Sequence, residues 1–482
     1  MSEFLPGIEH IVVVMLENRS LDNMLGTLFL NDAPSVFLPP GSSPIFDGWR
    51  PGLSNPSNAG YFTGDPAVLS PVKSEVDSST VPDPDPEETF ANVSFQLFGP
   101  DPPTQNARWP MQGFLVNYAT KGATDPTQIL QCHAASQVPV LATLARSYAV
   151  CDAWFASVPS QTLPNRAFVH AGTSNGHVDN GSPPDPLAWD VPTIFNVLER
   201  MGVGWAVYHD TVLVPSLTHT MLPQLWDESL EAGFRGLDSF VRDCAADNLP
   251  KYSFIEPSFL IDPNDEHPPH DVNAGEALLR TIWTAVSTSP AFSKTLLLIT
   301  FDEHGGCYDH VLPPFGATPP DPASTPGEQG FGFDRFGVRV PMVAISPRIA
   351  AGTVFRSDTD TPYDHTSILA TLHDWLQIPA SARLPSKRIA KAPTLAQILT
   401  LSQPRTDVPV ISSGAPQMRA SSLSTASLST ASLSTPLNDL QRALVAGAAR
   451  RAGREPAEVL RKVLTSQHAI DYFTNSGPSA AF

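Results

Sequence analysis

Two blocks of acidic residues in this sequence each stand directly behind an apolar run. In MLENRSLDNMLG, Glu17 and Asn18 follow the valine-rich run Ile8 to Leu16; in LLLITFDEHGGCYDHV, Asp302, Glu303 and His304 follow the run Thr295 to Phe301. A carboxylate and a carboxamide supply hard oxygen ligands for a divalent cation, and the amide of Asn18 can also donate to a phosphate oxygen. Capping of the next helix explains Glu17 and Asn18 equally well. Adjacent acids at the end of a buried strand repel one another unless a cation or proton offsets them, so a metal is the economical explanation for Asp302 and Glu303. Gly305 and Gly306 permit a tight turn beyond them. Asp309 and His310 follow closely enough to be further candidates, although not every polar side chain of this block can face one site.

A third block, SVPSQTLPNRAFVHAGTSNG, places Thr162 in a polar turn, with Asn165 and Arg166 at the start of a predicted helix, where amide groups bind anions. A threonine hydroxyl is a weak nucleophile unless a metal lowers its pKa. Taken alone, QTLPNR reads more simply as a helix start. The histidines fall into three groups: His267 and His270 with Asp271, His209 with Asp210, and His365 behind Asp364. Imidazole suits proton transfer to a leaving group near neutral pH, but a lone histidine is more often structural.

These residues need a scaffold that gathers strand ends. Besides the two runs above, Gly204 to Tyr208, Tyr252 to Ile255 and Arg339 to Ser346 have the nearly continuous apolar character of strands buried on both faces of a parallel sheet. Helical spacing predicts helices over Val138 to Ser147, Thr193 to Met201, Asn273 to Ser287 and Thr366 to Leu376. The alternation predicts an α/β fold, a mostly parallel sheet flanked by helices, with ligands outside the carboxyl ends of the strands. Residues 31–105 read as a long loop insertion over the site, and Pro313 to Phe336, dense in Pro and Gly, as a lid. The reading divides the chain into a catalytic domain over 1–400, a Ser/Thr-rich linker over 401–435 built on SSLST, ASLST and ASLST, and a separable helical tail over 436–482. Leu440, Leu444, Val459, Leu460, Val463 and Leu464 fall at helical spacings in that tail.

Composition removes several partners. With 29 basic and 48 acidic residues among 482, the net charge of −19 has the wrong sign for nucleic acid, and allows no more than transient contact with an anionic lipid surface. Cys132, Cys151, Cys244 and Cys307 form no CxxC or zinc-finger spacing, so no disulfide framework is expected, although one bridge stays open. The acidic start and short apolar run at the amino terminus predict no classical export signal, and no 18-residue apolar run predicts a membrane span.

The ordered blocks ENRSLDNMLG, VCDAWFASVPSQTLPNR, FIEPSF, HPPHDVNAGE, TFDEHGGCYDHV, VRVPMVAISP and YDHTSIL together resemble the bacterial phosphoesterase family, over about residues 8 to 380. That family includes nonspecific phospholipases C and an acid phosphatase, and has plant phospholipase C relatives. The resemblance implies an alkaline-phosphatase-like fold with Thr162 as nucleophile. It places Glu17, Asn18, Asp302 and Glu303 around a divalent cation (Ca²⁺, Mg²⁺, Mn²⁺ or Zn²⁺) and puts Asn18 and Asn165 on the phosphate. It makes His209, His267 and His270 candidates for phosphate contact or proton transfer, with His304, Asp309, His310, Glu256 and His365 as further candidates.

The implied reaction is cleavage of a phosphatidylcholine-like glycerophospholipid to diacylglycerol and a phosphorylated headgroup through a phosphothreonine. The alternatives are a phosphomonoesterase with the same nucleophile and a noncatalytic, metal-stabilised binding protein. One departure stands out. Where many relatives carry Gly and His after an Asp and Pro, this chain reads DPDPEETF, so Glu87 and Glu88 replace an imidazole. Trp109, Tyr118, Trp154 and Phe155 are candidates for an aromatic box around choline, with core packing the simpler role for the last two.

Overall fold

The structure, a computed structural model, describes residues 4–181, 186–209, 214–412, 414–416 and 434–475. The Ser/Thr pentads up to residue 433, Asp210 and the last seven residues of the tail lie outside it. Thirteen strands are present among the described residues: β1 (His10–Leu16), β2 (Val36–Leu38), β3 (Ser54–Pro56), β4 (Leu69–Pro71), β5 (Ala149–Cys151), β6 (Trp154–Phe155), β7 (Trp205–His209), β8 (Phe234–Gly236), β9 (Tyr252–Glu256), β10 (Thr295–Phe301), β11 (Met342–Ile345), β12 (Thr353–Phe355) and β13 (Tyr363–Asp364).

Nine of them form one sheet in the order β2-β12-β5-β11-β10-β1-β9-β7-β8. Every neighbouring pair is parallel except those made by β11, which runs against both β10 and β5. This is the mostly parallel α/β sheet expected from the apolar runs. β1 and β10 are buried along almost their whole length because both faces of the sheet are covered by helices. They pair in register from His10 opposite Thr295 to Leu16 opposite Phe301, so Glu17 and Asp302 leave the sheet side by side.

The helices observed at Pro139–Ser147, Ile194–Arg200, Val272–Thr288 and Thr366–Trp375 match the predicted ones to within two residues at each end. At Ile194–Arg200 the cause is visible: Thr193 and Asn196 close a capping box. The stretch 31–105 is more structured than its composition suggests. It supplies edge strand β2, the β3-β4 hairpin and the helix Phe90–Phe98. Nor does 313–336 have the packing of a lid. Phe331 and Phe333 are buried with Val158, Phe168 and Val178 behind the Thr162–Ala171 helix, and Arg388 Nη2 donates to the Phe333 carbonyl at 2.8 Å. Cys132, Cys151, Cys244 and Cys307 are buried free thiols. No helix among the described residues is long and apolar enough to cross a membrane.

The tail departs from the separable unit expected of it. Helices Asp439–Arg451, Pro456–Leu460 and Ser466–Asn475 follow the 417–433 stretch, and Leu440, Leu444, Val445, Leu460, Val463 and Phe473 belong to the same apolar core as the sheet. Gly447 lies so close to the helix Leu217–Met221 that a Cβ would meet the Thr220 carbonyl at 2.6 Å. The linker repeat carries no apolar pattern, but the helices after it do, and their apolar face needs a partner. Leu444→Ala, at a fully buried position, is therefore expected to cost about 2–4 kcal/mol in the main unfolding transition. If urea denaturation of the variant overlaid the parent curve, the tail would be folding on its own.

Candidate active site

Beyond Leu16 the chain turns at once. Asn18 adopts a left-handed conformation, φ 56°, which asparagine tolerates, and its backbone N–H donates to Asp302 Oδ1 at 2.9 Å. The same oxygen accepts the N–H of Glu303 at 2.7 Å. Gly305, also at positive φ, lies against Asn18 so closely that a Cβ would fall 2.1 Å from the Asn18 carbonyl oxygen. The two strand ends predicted to carry acids are thus fastened to one another.

Thr162 opens a ten-residue helix, Thr162–Ala171, buried throughout. Its Oγ1 donates to Glu17 Oε2 at 3.0 Å and also lies 3.3 Å from Asn18 Oδ1. One turn further on, Arg166 projects from the same helix face. Its Nε and Nη2 both donate to Glu17 Oε1, Nε at 2.8 Å, and Nη2 also reaches the Met15 carbonyl at 3.1 Å. Arg166 Nε lies 3.9 Å from Asp302 Oδ2. Glu17 therefore holds a fixed cation with one oxygen and the threonine hydroxyl with the other.

The remaining acids are undercompensated. Asp302 Oδ2, Glu303 Oε1, Glu88 Oε2 and Asp265 Oδ2 are buried with no hydrogen-bond partner among the described residues. Burial pushes the Glu17, Glu88 and Glu303 carboxyls well above the ordinary range, and neighbouring carboxylates push them further. At Glu17 the Arg166 guanidinium works against that rise. These buried carboxylate oxygens, next to one arginine already engaged, have the hard-oxygen donor chemistry that a divalent cation takes. Glu88, the departure noted in DPDPEETF, is among them: it is 4% exposed, and its charge is felt at Glu303.

The histidines divide by role. Asp265 accepts the Glu17 backbone N–H on its carbonyl at 2.8 Å, which ties the 265–270 loop to the end of β1. Asp265 Oδ1 accepts from His270 Nδ1 at 2.7 Å and from the His267 backbone N–H at 3.1 Å. Burial pulls the His270 pKa down, but Asp265 outweighs it and the net shift is upward. His267 Nδ1 bonds the Pro268 carbonyl at 2.7 Å, so that nitrogen carries the proton and Nε2 faces Asp85, 3.9 Å away.

His365 Nε2 bonds the Asp302 carbonyl at 2.6 Å while Trp154 Nε1 donates to its Nδ1 at 3.3 Å, a pattern that only the neutral Nε2–H tautomer satisfies. It positions Asp302. His304 is pushed down to about 3 by burial and lies between Gln96 Oε1, 2.8 Å, and Glu303 Oε2, 3.3 Å.

Five sequence-predicted residues are placed elsewhere or spent otherwise. Asn165 gives its amide to the Val158, Ser160 and Gln161 carbonyls and accepts the Val158 N–H, so it holds the loop before Thr162 and has no donor left for a phosphate. Glu256 caps the helix Leu217–Met221 through the Leu217 and Thr218 amides. His209 ends β7, opposite Glu256 in register and two strands from β1. Asp309 and His310 join Asp22 in a separate group whose ligand atoms lie within 4.8 Å of one another. There Arg339 Nη2 already pairs with Asp22 Oδ1 at 3.2 Å and with Asp309 Oδ1 at 3.0 Å.

Nor do the four candidate aromatic residues come together in a box. Trp154 stacks on Tyr363, Phe155 packs with Phe336, the Tyr118 hydroxyl donates to the Pro84 carbonyl, and Trp109 packs on Tyr61. Sequence reasoning passed over Arg166 and Asp265 as site residues. The spacing of Arg166, four residues after Thr162 in a helix, was the available signal for it.

His310 yields a pH prediction. Burial opposes its protonation, yet hydrogen bonds to Asp22 and Asp47 raise its pKa from 6.5 to about 9. A raised folded pKa stabilises the fold fully below about 6.5, and the benefit is lost as pH rises through about 9. Because Asp47 is half-exposed, the contribution is about 1–2 kcal/mol. The stability gap between the parent and His310→Gln should be widest near pH 6 and close by pH 10. Parallel unfolding profiles across that range would refute the assignment.

Comparison with known proteins adds an independent line. The sequence matches the Phosphoesterase family over residues 8–379. It is 33% identical over 460 residues to a protein named non-specific phospholipase C3 from Arabidopsis thaliana, covering 92% of this chain and 82% of that one. It is 30% identical over 415 residues to phospholipase C B of Mycobacterium tuberculosis, covering 78% and 74%. A solved structure described as a protein in the alkaline phosphatase superfamily from Vibrio parahaemolyticus aligns over 52% of this chain and 69% of its own, at 12% identity and a TM-score of 0.31.

Proposed function

The chain belongs to the Phosphoesterase family and is a phosphodiester hydrolase, and from that premise we propose that it acts as a phospholipase C on glycerophospholipids, with Thr162 as the nucleophile. The observation that carries this reading is the Thr162 hydroxyl, buried at the first position of a helix and hydrogen-bonded to a carboxylate that is itself clamped by Arg166.

Glu17, Asn18, Asp302 and Glu303 would hold a divalent cation, which would supply charge stabilisation where the phosphate develops it. The protein's own groups do the rest. Glu17 Oε2 is placed to take the Thr162 proton as the oxygen attacks phosphorus. The helix amino terminus favours the negative charge that builds at that oxygen. Arg166 fixes Glu17 in the required orientation and adds positive potential beside the reacting groups.

His267 and His270, on the loop tied to β1, supply the acid for the diacylglycerol oxygen. The Asp265 contact raises the His270 pKa, a shift toward the protonated form suited to that step. Attack forms the O–P bond to Thr162 and breaks the bond from phosphorus to the lipid oxygen. Water then attacks the phosphothreonine and releases the phosphorylated headgroup. Acid quenching during turnover of a phospholipid labelled on phosphorus should leave label on the peptide containing Thr162. Label on another peptide, or none despite a burst of product, would sink the assignment.

A further inference from the structure

In DPDPEETF the two glutamates part company: one faces solvent and the other faces the site. We infer that Glu88 is a specificity-determining residue, a fixed negative charge beside the phosphate position that disfavours dianionic phosphate monoesters and speeds release of the phosphorylated headgroup. The inference rests on the reading of Thr162 as the nucleophile of a phosphodiester hydrolase, and narrows the class of phosphate that nucleophile takes.

The backbone wedges Glu88 between the reacting groups. Glu87 adopts φ 61° and pairs with Lys121 at the surface, whereas Glu88, next in the chain, is 4% exposed. On one side, the Phe90 N–H donates to Asp179 Oδ1 at 2.7 Å and the Ser160 hydroxyl donates to the same oxygen at 2.9 Å, two residues before Thr162. On the other, Gly306 lies so close to Pro86 that a Cβ would meet the proline Cβ at 2.7 Å. Gln96 Nε2 donates to the Glu87 carbonyl at 3.5 Å, and its Oε1 lies 2.8 Å from His304 Nε2. Glu88 thus stands between the loop that delivers Thr162 and the turn that follows Glu303.

Its charge has no counterpart. Of the charges acting on the Glu303 carboxyl, that of Glu88 weighs most, ahead of Asp302. Glu88 itself feels Asp85, Asp439 and Asp302. Its Oε2 has no hydrogen-bond partner, and no ion pair among the described residues includes it, whereas Glu17 has Arg166 and Glu87 has Lys121. Asp85 is partly exposed, 3.9 Å from His267 Nε2, and Asp439 is exposed, so the acids run from the rim inward to Glu88. The divalent cation proposed for Asp302 and Glu303 would favour the ionised form of Glu88.

A phosphodiester carries one negative charge, and a monoester about two above its second pKa of about 6. One further charge against a buried carboxylate is worth about tenfold to hundredfold in affinity at an effective dielectric of about 20. That penalty falls on the phosphorylated headgroup and on any monoester substrate, and spares the lipid diester.

The test uses the full-length protein at pH 8 with Glu88→Gln and Glu88→Asp. Inhibition by inorganic phosphate is measured with kcat/KM for a short-chain phosphatidylcholine and for p-nitrophenyl phosphate. Bound metal, the thermal midpoint and acid-quench label on Thr162 are followed alongside. Glu88→Gln is expected to bind inorganic phosphate about tenfold more tightly and to raise the monoester-to-diester ratio of kcat/KM by a similar factor. Glu88→Asp, which keeps the charge, should stay near the parent in both. In the parent itself, inorganic phosphate should inhibit no better than the monoanion dimethyl phosphate.

Unchanged phosphate inhibition and an unchanged ratio in folded Glu88→Gln would make Glu88 a structural residue and overturn the inference. Loss of bound cation in that variant would make it a ligand, with the same consequence. Inhibition of the parent about tenfold tighter by inorganic phosphate than by dimethyl phosphate overturns it without any variant. Each of these results leaves the nucleophile assignment standing while label stays on Thr162, and label on another residue in the parent overturns both.

Discussion

Thr162→Ala is expected to lower turnover of a lipid phosphodiester by at least about 10³-fold while the protein keeps its fold and the divalent cation proposed for the site. The Thr162 hydroxyl donates to Glu17, the carboxylate proposed to activate it, and this substitution removes that oxygen and one methyl group from a position 1% exposed. Glu17 loses a donor but keeps Arg166 on its other oxygen, so the carboxylate does not swing free. The Asn18 and Glu303 amides still meet Asp302 Oδ1, so the strand ends stay joined. Thr162→Ser should retain partial activity because the hydroxyl remains, while loss of the methyl frees its χ1 to sample unproductive rotamers. Steady-state rates, acid-quench labelling and elemental analysis of bound metal on the three proteins check the whole set. Near-parental turnover by Thr162→Ala would show that water, and not a protein oxygen, attacks phosphorus.

The scaffold was legible because its signals are local. The apolar runs that became β1, β9 and β10 have no other stable home than a sheet covered on both faces, and the acids behind two of them fall in register once the strands pair. What stayed hidden depends on partners distant in sequence. Asn165 has the right chemistry for a phosphate, and nothing local reveals that Val158 to Gln161 fold back to occupy its amide. Asp309 and His310 follow the proposed metal ligands so closely that spacing cannot separate them, yet Arg339, 30 residues from Asp309, draws them into another cluster. The packing of the tail stayed hidden for a related reason: the repeat before it has the texture of a spacer, whereas the surface that receives Leu440 and Leu444 is assembled from segments some 200 residues earlier.

Asp302→Asn offers the sharpest test of the proposed cation, because it removes charge while keeping shape. Asp302 Oδ1 accepts two backbone N–H groups, and an asparagine oxygen can go on accepting both. The amide nitrogen then takes the place of Oδ2, a buried oxygen with no hydrogen-bond partner among the described residues. If that oxygen serves a cation, the variant should lose the bound metal and at least about 10²-fold in turnover. Stability should change in a way that distinguishes this from ordinary damage. A ligand bound only by the folded state stabilises it by about 2.7 kcal/mol when free ligand is at 100 times Kd. The parent's thermal midpoint should therefore fall on addition of a chelator, whereas that of Asp302→Asn should not move. In chelator the variant should be about as stable as the parent, since the buried carboxylate it neutralises has Arg166 only at 3.9 Å. Glu303→Gln should behave alike, its remaining oxygen still accepting the Gly305 N–H at 2.7 Å. A midpoint in the parent that is indifferent to chelation, together with undiminished turnover by both variants, would place the compensating charge on Arg166 alone.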